Sequence, residues 1–239
     1  MSAPSTLVVI PTYNERENLE PLVRQILGHD GCQVMVVDDQ SPDGTGAVAD
    51  DLAREFTGRV EVIHRVGKRG LGRSYVEGFG RALQRDVDLI CQMDADFSHD
   101  PKYLPSLIAG AADCDLVVGS RYLNGISVVN WPLRRLILST FANRYIRAVT
   151  GLAVQDCTGG FRCWRREALG RIQLARIVSD GYSFMVEMLF EAARHDCRIG
   201  EVPIVFVERR VGTSKLTGGV LAESLLMPWR LRLRALLGR

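Results

Sequence analysis

No uncharged apolar run in the 239 residues reaches the roughly 18 needed to cross a bilayer. A signal-peptide pattern is missing as well, so any membrane contact is expected from the side. The six cysteines (Cys32, Cys91, Cys114, Cys157, Cys163, Cys197) never form CxxC. Cys32, Cys91 and Cys114 lie in or beside apolar runs, a pattern that predicts reduced core thiols in a cytosolic protein. His29, His64, His99 and His195 lack zinc-ligand spacing and read as ordinary core or surface residues. Acidic residues are absent between Asp115 and Asp156, where Arg121, Arg134, Arg135, Arg144 and Arg147 fall. That stretch is either a solvated basic helix face or a surface for an anionic ligand or membrane headgroups. The net charge is only +2, which argues against nucleic acid. Repeats, low-complexity tracts and linkers are also missing. One domain over 1–220 with a C-terminal extension over 221–239 is expected.

What is present is a regular alternation. Apolar runs at 6–10, 33–37, 60–65, 88–93 and 115–120 read as strands. Between them, 14–29, 46–56, 74–85 and a stretch after Pro101 read as helices, with Asn14 as the first N-cap. Beyond residue 121 the pattern predicts a basic helix over 132–149, a glycine turn and short strand within 155–167, a helix over 183–195 and a bent strand or strand pair over 199–210. Continuous apolar strands alternating with helices predict an α/β fold, a mainly parallel sheet flanked by helices. Ligands of such sheets sit beyond the carboxyl ends of the strands. Three chemical motifs fall there: PTYNE (11–15), DDQSPDGT (38–45) and DADFS (94–98).

Each motif has its own chemistry. If the fourth strand persists, Asp94 and Asp96 point to one side, and two converging carboxylates repel unless a divalent cation offsets them. A turn rich in aspartate is the plainer reading of that stretch. Asp38 and Asp39 at a strand end can accept hydrogen bonds from a nucleobase or ribose. GKRGLGRS (67–74) is glycine-rich yet lacks GK[ST], so Lys68 and Arg69 are either phosphate contacts or solvated cations.

VVIPTYNERENL, VVDDQSPDGT, GKRGLG, QMDADFSHDP, VVGSRY, DCTGGFRCWRRE and FVERRVGTSKL together resemble the dolichol-phosphate mannose synthase family, over about residues 6–220. The resemblance implies an inverting glycosyltransferase of nucleotide-diphospho-sugar transferase (GT-A-like) fold. It would move mannose from GDP-mannose to a polyprenyl phosphate, with Mg2+ or Mn2+ as cofactor. It also implies site roles. Pro11, Tyr13 and Glu15 would hold the nucleotide, with Val37 and Asp39 at the base and ribose and Lys68 near the phosphates. Asp94, Ala95 and Asp96 would form the metal and diphosphate motif, Asp96 the foremost ligand. Ser98, the third candidate metal ligand, stands where the family often has glutamine, and its hydroxyl is a poorer ligand. Arg121 would face the sugar diphosphate or acceptor phosphate, and Arg209 and Lys215 would clamp phosphates. Another donor such as UDP-glucose, or a non-catalytic nucleotide-sugar-binding subunit, are the alternatives.

An acceptor phosphate also explains why no general base stands out. Its second pKa is about 6, so it arrives as a near-dianion needing neutralisation rather than deprotonation. Arg134 and Arg135, in the acid-free segment, fit that task. The tail WRLRLRALLGR (229–239) has no acid, and as a helix it places Trp229, Leu233, Leu236 and Leu237 on one face. The strict Leu-Arg alternation also permits a strand; as a helix the tail is either packed on the domain or lying in a membrane interface, the latter favoured because the lipid acceptor stays in the bilayer. A separate membrane-anchoring subunit would serve the same need. The expected location is peripheral, on the cytoplasmic face of a membrane.

Overall fold

The structure, a computed structural model, describes residues 3–207 and 218–236, the side chains of 218–224 excepted. The expected phosphate clamp of Arg209 and Lys215 lies outside the described residues, as do Leu237 and Arg239.

The first half alternates as its sequence pattern predicts. β1 (Thr6–Thr12), α1 (Arg16–Leu27), β2 (Cys32–Asp38), α2 (Thr45–Glu55), β3 (Val60–His64), α3 (Leu71–Ala82) and β4 (Leu89–Gln92) follow in order. After a 3-10 turn at Pro101–Tyr103 come α4 (Leu104–Gly110) and β5 (Leu116–Ser120). The second half adds β6 (Val128–Val129), α5 (Leu133–Thr150), β7 (Arg162–Arg165), α6 (Arg166–Arg171), α7 (Gly181–Arg194), β8 (Ile199–Pro203), β9 (Phe206–Val207) and α8 (Gly218–Leu236). The stretch 199–210 does split into two strands, and they join different sheets.

Seven strands form the central sheet in the order β3-β2-β1-β4-β7-β5-β8. All neighbours run parallel except β7, which is antiparallel to both β4 and β5. β7 therefore begins where β4 and β5 end. Arg162 pairs with Gln92 on one side and Val118 on the other. The turn before it, 156–161, is delivered to the same sheet edge as the three N-terminal motifs. Helices cover both faces. Leu19, Leu22, Val23 and Ile26 of α1 fill one core, while Tyr75 and Phe79 of α3 and Phe184, Met188 and Leu189 of α7 fill the other. Met227 and Leu231 of α8 belong to that second core, so the C-terminal helix packs on the domain.

Two local expectations are corrected. Asn14 does not cap α1. Glu15 holds the cap position, and Asn14 adopts φ 62°, in the left-handed region. Longer-range bonds win over local capping: the Asn14 N–H donates to Ser41 Oγ and the Glu15 N–H to Thr45 Oγ1. The strand before Asp94 also ends earlier than expected, at Gln92.

α3 sits unusually close to the sheet at Gly78, where an added Cβ would lie 2.6 Å from Val9 Cγ1 and 3.0 Å from Val37 Cγ2. Gly80 on the same helix faces open space. Replacing a helical glycine by alanine gains up to about 1 kcal/mol, but overpacking a filled core costs about 1–3 kcal/mol. Gly78→Ala should therefore lower stability in urea unfolding, whereas Gly80→Ala should leave it unchanged or raise it.

Candidate active site

The first two motifs are knit into one loop pair. Asp38 accepts from the Thr12 hydroxyl at 3.1 Å and the Ser41 hydroxyl at 2.6 Å. Asp43 accepts from the Arg16 N–H and from the N–H and hydroxyl of Thr45. Those bonds hold its carboxyl below the usual carboxylate range, against a burial cost. Pro11 and Val37 face each other across β1 and β2 and are buried. Asp39 is buried as well and pairs with Arg65, a residue the motifs do not single out. Its second oxygen accepts the Gly70 N–H at 2.8 Å. Arg65 also bonds Glu77, the Ser74 hydroxyl and the Lys68 carbonyl, so one guanidinium organises the whole 65–77 turn. Arg69 lies over the Tyr13 ring, 4.6 Å from its centroid, and donates to the Tyr13 hydroxyl and the Gln40 carbonyl. Lys68 itself is exposed. Together, Tyr13, Gln40, Asp39 and the 67–70 turn lie at one edge beyond β1 and β2.

The acidic motif follows β4 as a turn. Asp96 Oδ1 accepts both the N–H and the hydroxyl of Ser98, at 3.0 and 2.5 Å, and Phe97 between them adopts φ 59°. An aspartate bonded two residues ahead is a side-chain-closed turn. The motif is thus a closed turn and not the continued strand that alternation assumes. Ser98 directs its hydroxyl to Asp96. Ala95 and Asp96 are buried, while Asp94 is partly open.

Two further side chains fix Asp94. The buried Tyr75 hydroxyl donates to Asp94 Oδ1 at 3.2 Å. Burial, reinforced by Asp94, holds that phenol well above its ordinary pKa, so it stays a donor. The Asp94 N–H donates to His99 Nδ1 at 3.1 Å, which leaves the imidazole proton on Nε2. Burial lowers the His99 pKa, and its ring stacks on Phe161 at 5.1 Å. His99 showed its role only through its position five residues after Asp94; Tyr75 gave no signal beyond an apolar helix face.

On the far side of the turn at 156–161, Arg121 is buried and bound by Asp156. Nε and Nη2 reach the two carboxylate oxygens at 2.7 Å each. The Asp156 oxygen Oδ2 also accepts the Arg121 N–H, and Thr158 Oγ1 accepts from Nη2 at 2.8 Å. Burial pushes the Asp156 carboxyl up, but the Arg121 guanidinium pulls it further down, below the ordinary range. Arg162 staples this turn from below, donating to the Gly159 and Cys157 carbonyls. It is fully buried, and its Nη1 has no partner among the described residues. Burial lowers its pKa to about 10. Gly160 faces the other half-site, where an added Cβ would lie 3.2 Å from His99 and 3.6 Å from Asp94 Oδ2. One turn therefore touches both Asp94 and Arg121.

Beyond Arg121 lies a largely apolar groove of about 330 Å3 between α5, α7 and α8. Arg121, Trp131, Arg135, Phe141, Tyr182 and Met227 are among its walls. Trp131 packs between the two arginines, with Arg135 4.1 Å and Arg121 5.5 Å from its ring centroid. The doublet expected to act together is divided: Arg135 lines the groove, whereas Arg134 is exposed on another side of α5.

The model of glycosyl transferase family 2 matches residues 7–173. The chain belongs to that family. It is 46% identical over 233 residues to polyprenol monophosphomannose synthase of Mycolicibacterium smegmatis, covering 95% of this chain and 87% of the relative. It is 45% identical to undecaprenyl-phosphate mannosyltransferase of Micrococcus luteus, covering 92% and 90%. The resemblance drawn from the motifs is borne out. A crystal structure of glucosyl-3-phosphoglycerate synthase from Mycobacterium tuberculosis, in complex with Mn2+, UDP-glucose and phosphoglyceric acid, superposes with a TM-score of 0.66. That likeness has 16% identity over 94% of this chain and 79% of the other, and it shows a shared GT-A fold. This family 2 protein is a glycosyltransferase, and its three N-terminal motifs meet at one sheet edge.

Asp156 and Arg121 are each tolerable in the core only because of the other. Breaking a buried pair costs about 3–5 kcal/mol, since the remaining charge stays buried. Asp156→Asn should therefore destabilise the protein by that order in denaturant. Its folded pKa is depressed, so the pair's contribution is full above the unfolded carboxylate value and fades as pH falls below it. The acid side of the stability curve, measured by melting between pH 3 and 7, should be flatter in the variant.

Proposed function

We propose that this glycosyltransferase moves mannose from GDP-mannose to a polyprenyl phosphate, with inversion at the anomeric carbon. The observation that carries the reading is the position of the apolar groove. Arg121, Arg135 and Thr158 share its wall, and Thr158 belongs to the turn that also meets Asp94. A lipid phosphate whose chain entered the groove would have its charge met by Arg121 and Arg135 and directed toward the DAD turn. Relatives at 45–46% identity whose names specify mannose and polyprenyl phosphates support both substrates.

The donor would occupy the edge formed by Pro11, Tyr13, Glu15, Val37 and Asp39, its diphosphate reaching Asp94 and Asp96. The donor set there suits a hard divalent cation. It offers carboxylate oxygens, and His99 Nδ1 is already engaged by a backbone N–H. Among the described residues no three His, Cys, Asp or Glu side chains converge as a complete metal site. Two carboxylates with the remaining ligands drawn from substrate phosphates is the usual arrangement for Mg2+, and Mn2+ accepts the same oxygens. When bound, the cation would neutralise the departing diphosphate. The chain's own part is to hold two anions in line. Tyr75, His99 and Ser98 fix the carboxylates, while Asp156 fixes Arg121 facing the acceptor. A general base is unnecessary, and the buried carboxylates nearby are already committed, Asp39 to Arg65 and Asp156 to Arg121.

The test is a panel of sugar nucleotides incubated with a polyprenyl phosphate and Mg2+ or Mn2+, with the lipid product identified. Mannosyl lipid should form from GDP-mannose, and glucosyl lipid from UDP-glucose would overturn the donor assignment. Asp96→Asn, which keeps shape and removes charge, should lose at least a hundredfold in turnover while its melting curve stays near that of the parent. Normal metal-dependent transfer in a folded variant would sink the metal role.

The same reading includes docking on a membrane's cytoplasmic face. No helix among the described residues is long and apolar enough to cross a membrane. Leu133, Ile137 and Phe141 form an exposed stripe on α5, and Trp229, Leu233 and Leu236 form one on α8, with Arg134, Arg144, Arg230 and Arg232 exposed around them. Apolar stripes edged by arginine suit an interface with anionic headgroups. Six free cysteines support a reducing compartment. Ile137→Glu combined with Trp229→Glu should weaken binding to anionic vesicles at least tenfold and slow transfer to long-chain acceptors. Activity on a short soluble prenyl phosphate should persist. Unchanged vesicle binding would leave the docking to a membrane-anchoring subunit.

A further inference from the structure

Glu187 of α7 is a buried carboxylate that the transfer chemistry does not use. Its Oε2 accepts the N–H groups of Val178 and Ser179 at 3.2 and 2.9 Å. Its Oε1 accepts Arg234 Nη1 of α8 at 2.9 Å. The segment it holds, 178–183, touches both substrate regions. Tyr182 and Ser183 line the apolar groove. On the other side Asp180 Oδ1 accepts the Gly72 N–H at 2.6 Å. The fit there leaves no slack: an added Cβ at Gly70 would lie 2.0 Å from Asp180 Oδ2, and one at Gly72 would lie 2.6 Å from the Ser179 carbonyl oxygen. Gly70 in turn donates to Asp39, and the Gly67 carbonyl accepts from Gln40. The route from α8 to the nucleotide edge therefore has four members joined in series by hydrogen bonds: Arg234, Glu187, the 178–180 segment and the 70–72 turn.

We propose that the Glu187–Arg234 pair is a positioning device for the donor nucleotide, so that the seating of α8 sets nucleotide affinity. A buried carboxylate has two lone-pair faces to satisfy, and here one faces a helix on the exposed apolar side of the protein while the other holds the 178–179 backbone, which leads into Asp180 and the turn beside Asp39. Close-packed segments without free volume transmit a displacement instead of absorbing it. Loss of the arginine frees Glu187 to shift, and with it the segment against which Gly70 and Gly72 are packed. The inference rests on the proposed function in one respect, that the 67–72 turn borders the donor nucleotide.

Calorimetric binding of GDP and UDP to the full chain, without lipid or vesicles, tests it. Arg234→Met and Glu187→Gln should each weaken the preferred nucleotide three- to tenfold, and Arg234→Lys should recover to within about twofold of the parent. Arg230→Met, on the exposed face of the same helix, controls for general loosening of α8 and should leave binding unchanged. A folded Arg234→Met protein with parental affinity would overturn the coupling, as would equal losses in Arg230→Met and Arg234→Met. If Arg234→Met does not fold, Arg234→Lys and Glu187→Gln decide: parental affinity in Glu187→Gln overturns the proposal. Parent protein that prefers UDP overturns the guanine reading alone, because the variants are compared on the same nucleotide. Parent protein that binds neither overturns both.

Discussion

Arg121 and Asp156 are buried, oppositely charged and joined by two 2.7 Å bonds, and neither could be buried in that core alone. Much of the surrounding architecture follows from keeping them there. Asp156 has to arrive at the carboxyl edge of the sheet, and the chain achieves that by inserting β7 antiparallel between β4 and β5. The reversed strand carries its preceding turn to the edge where the parallel strands finish. Arg162 then anchors the turn through two carbonyls, and its burial is only partly offset by the negative field of Asp156. A fully parallel sheet would have left that loop at the opposite edge.

The parallel half of the fold was legible because its strands are uninterrupted apolar runs and its helices keep a clear apolar period. The acidic motif stood out in the sequence too, but its conformation did not. Alternation predicted convergence of Asp94 and Asp96, but β4 stops at Gln92 and the Ser98 hydroxyl closes a turn on Asp96 instead. Local hydrogen bonding by a short polar side chain outcompeted strand extension there. The positioning residues were much less legible. Tyr75 and His99 look like core residues in sequence, and they are core residues, but their polar atoms lie at the one place where the core meets Asp94. Arg65 is similar: its importance comes from Asp39, Ser74 and Glu77 meeting around it, and only tertiary structure brings those together.

The C-terminal helix shows how two readings of one amphipathic segment can both hold. Met227 and Leu231 are buried against α5 and α7, as a packed helix requires. Trp229, Leu233 and Leu236 remain on the outside, as an interfacial helix requires. Sequence periodicity could show that the tail has apolar faces but could not say that one of them was already taken. The Tyr145 hydroxyl, bonded to the Leu225 carbonyl at 2.6 Å, ties the two exposed stripes into a single surface.

That surface and the groove have one physical problem in common. A polyprenyl phosphate is stable with its chain in hydrocarbon and its headgroup in water, and reaction requires the headgroup to meet a second anion. Lifting the whole lipid out would expose a long apolar chain, at about 25 cal/mol per Å2. In the proposed function, a groove that opens between α5, α7 and α8, beside exposed leucine and phenylalanine, would let the chain stay in an apolar environment while only the phosphate advanced. That function would need arginines where apolar lining gives way to the turn beside Asp94, and Arg121 and Arg135 flank Trp131 there. An exposed arginine held loosely by solvent would gain little from such a phosphate. One prealigned by a buried carboxylate and stacked on an aromatic ring has already given up its side-chain freedom before the ligand arrives. On the proposed function, the cost of burying Asp156 is met in folding, and the benefit would appear when two anions must be held within reacting distance.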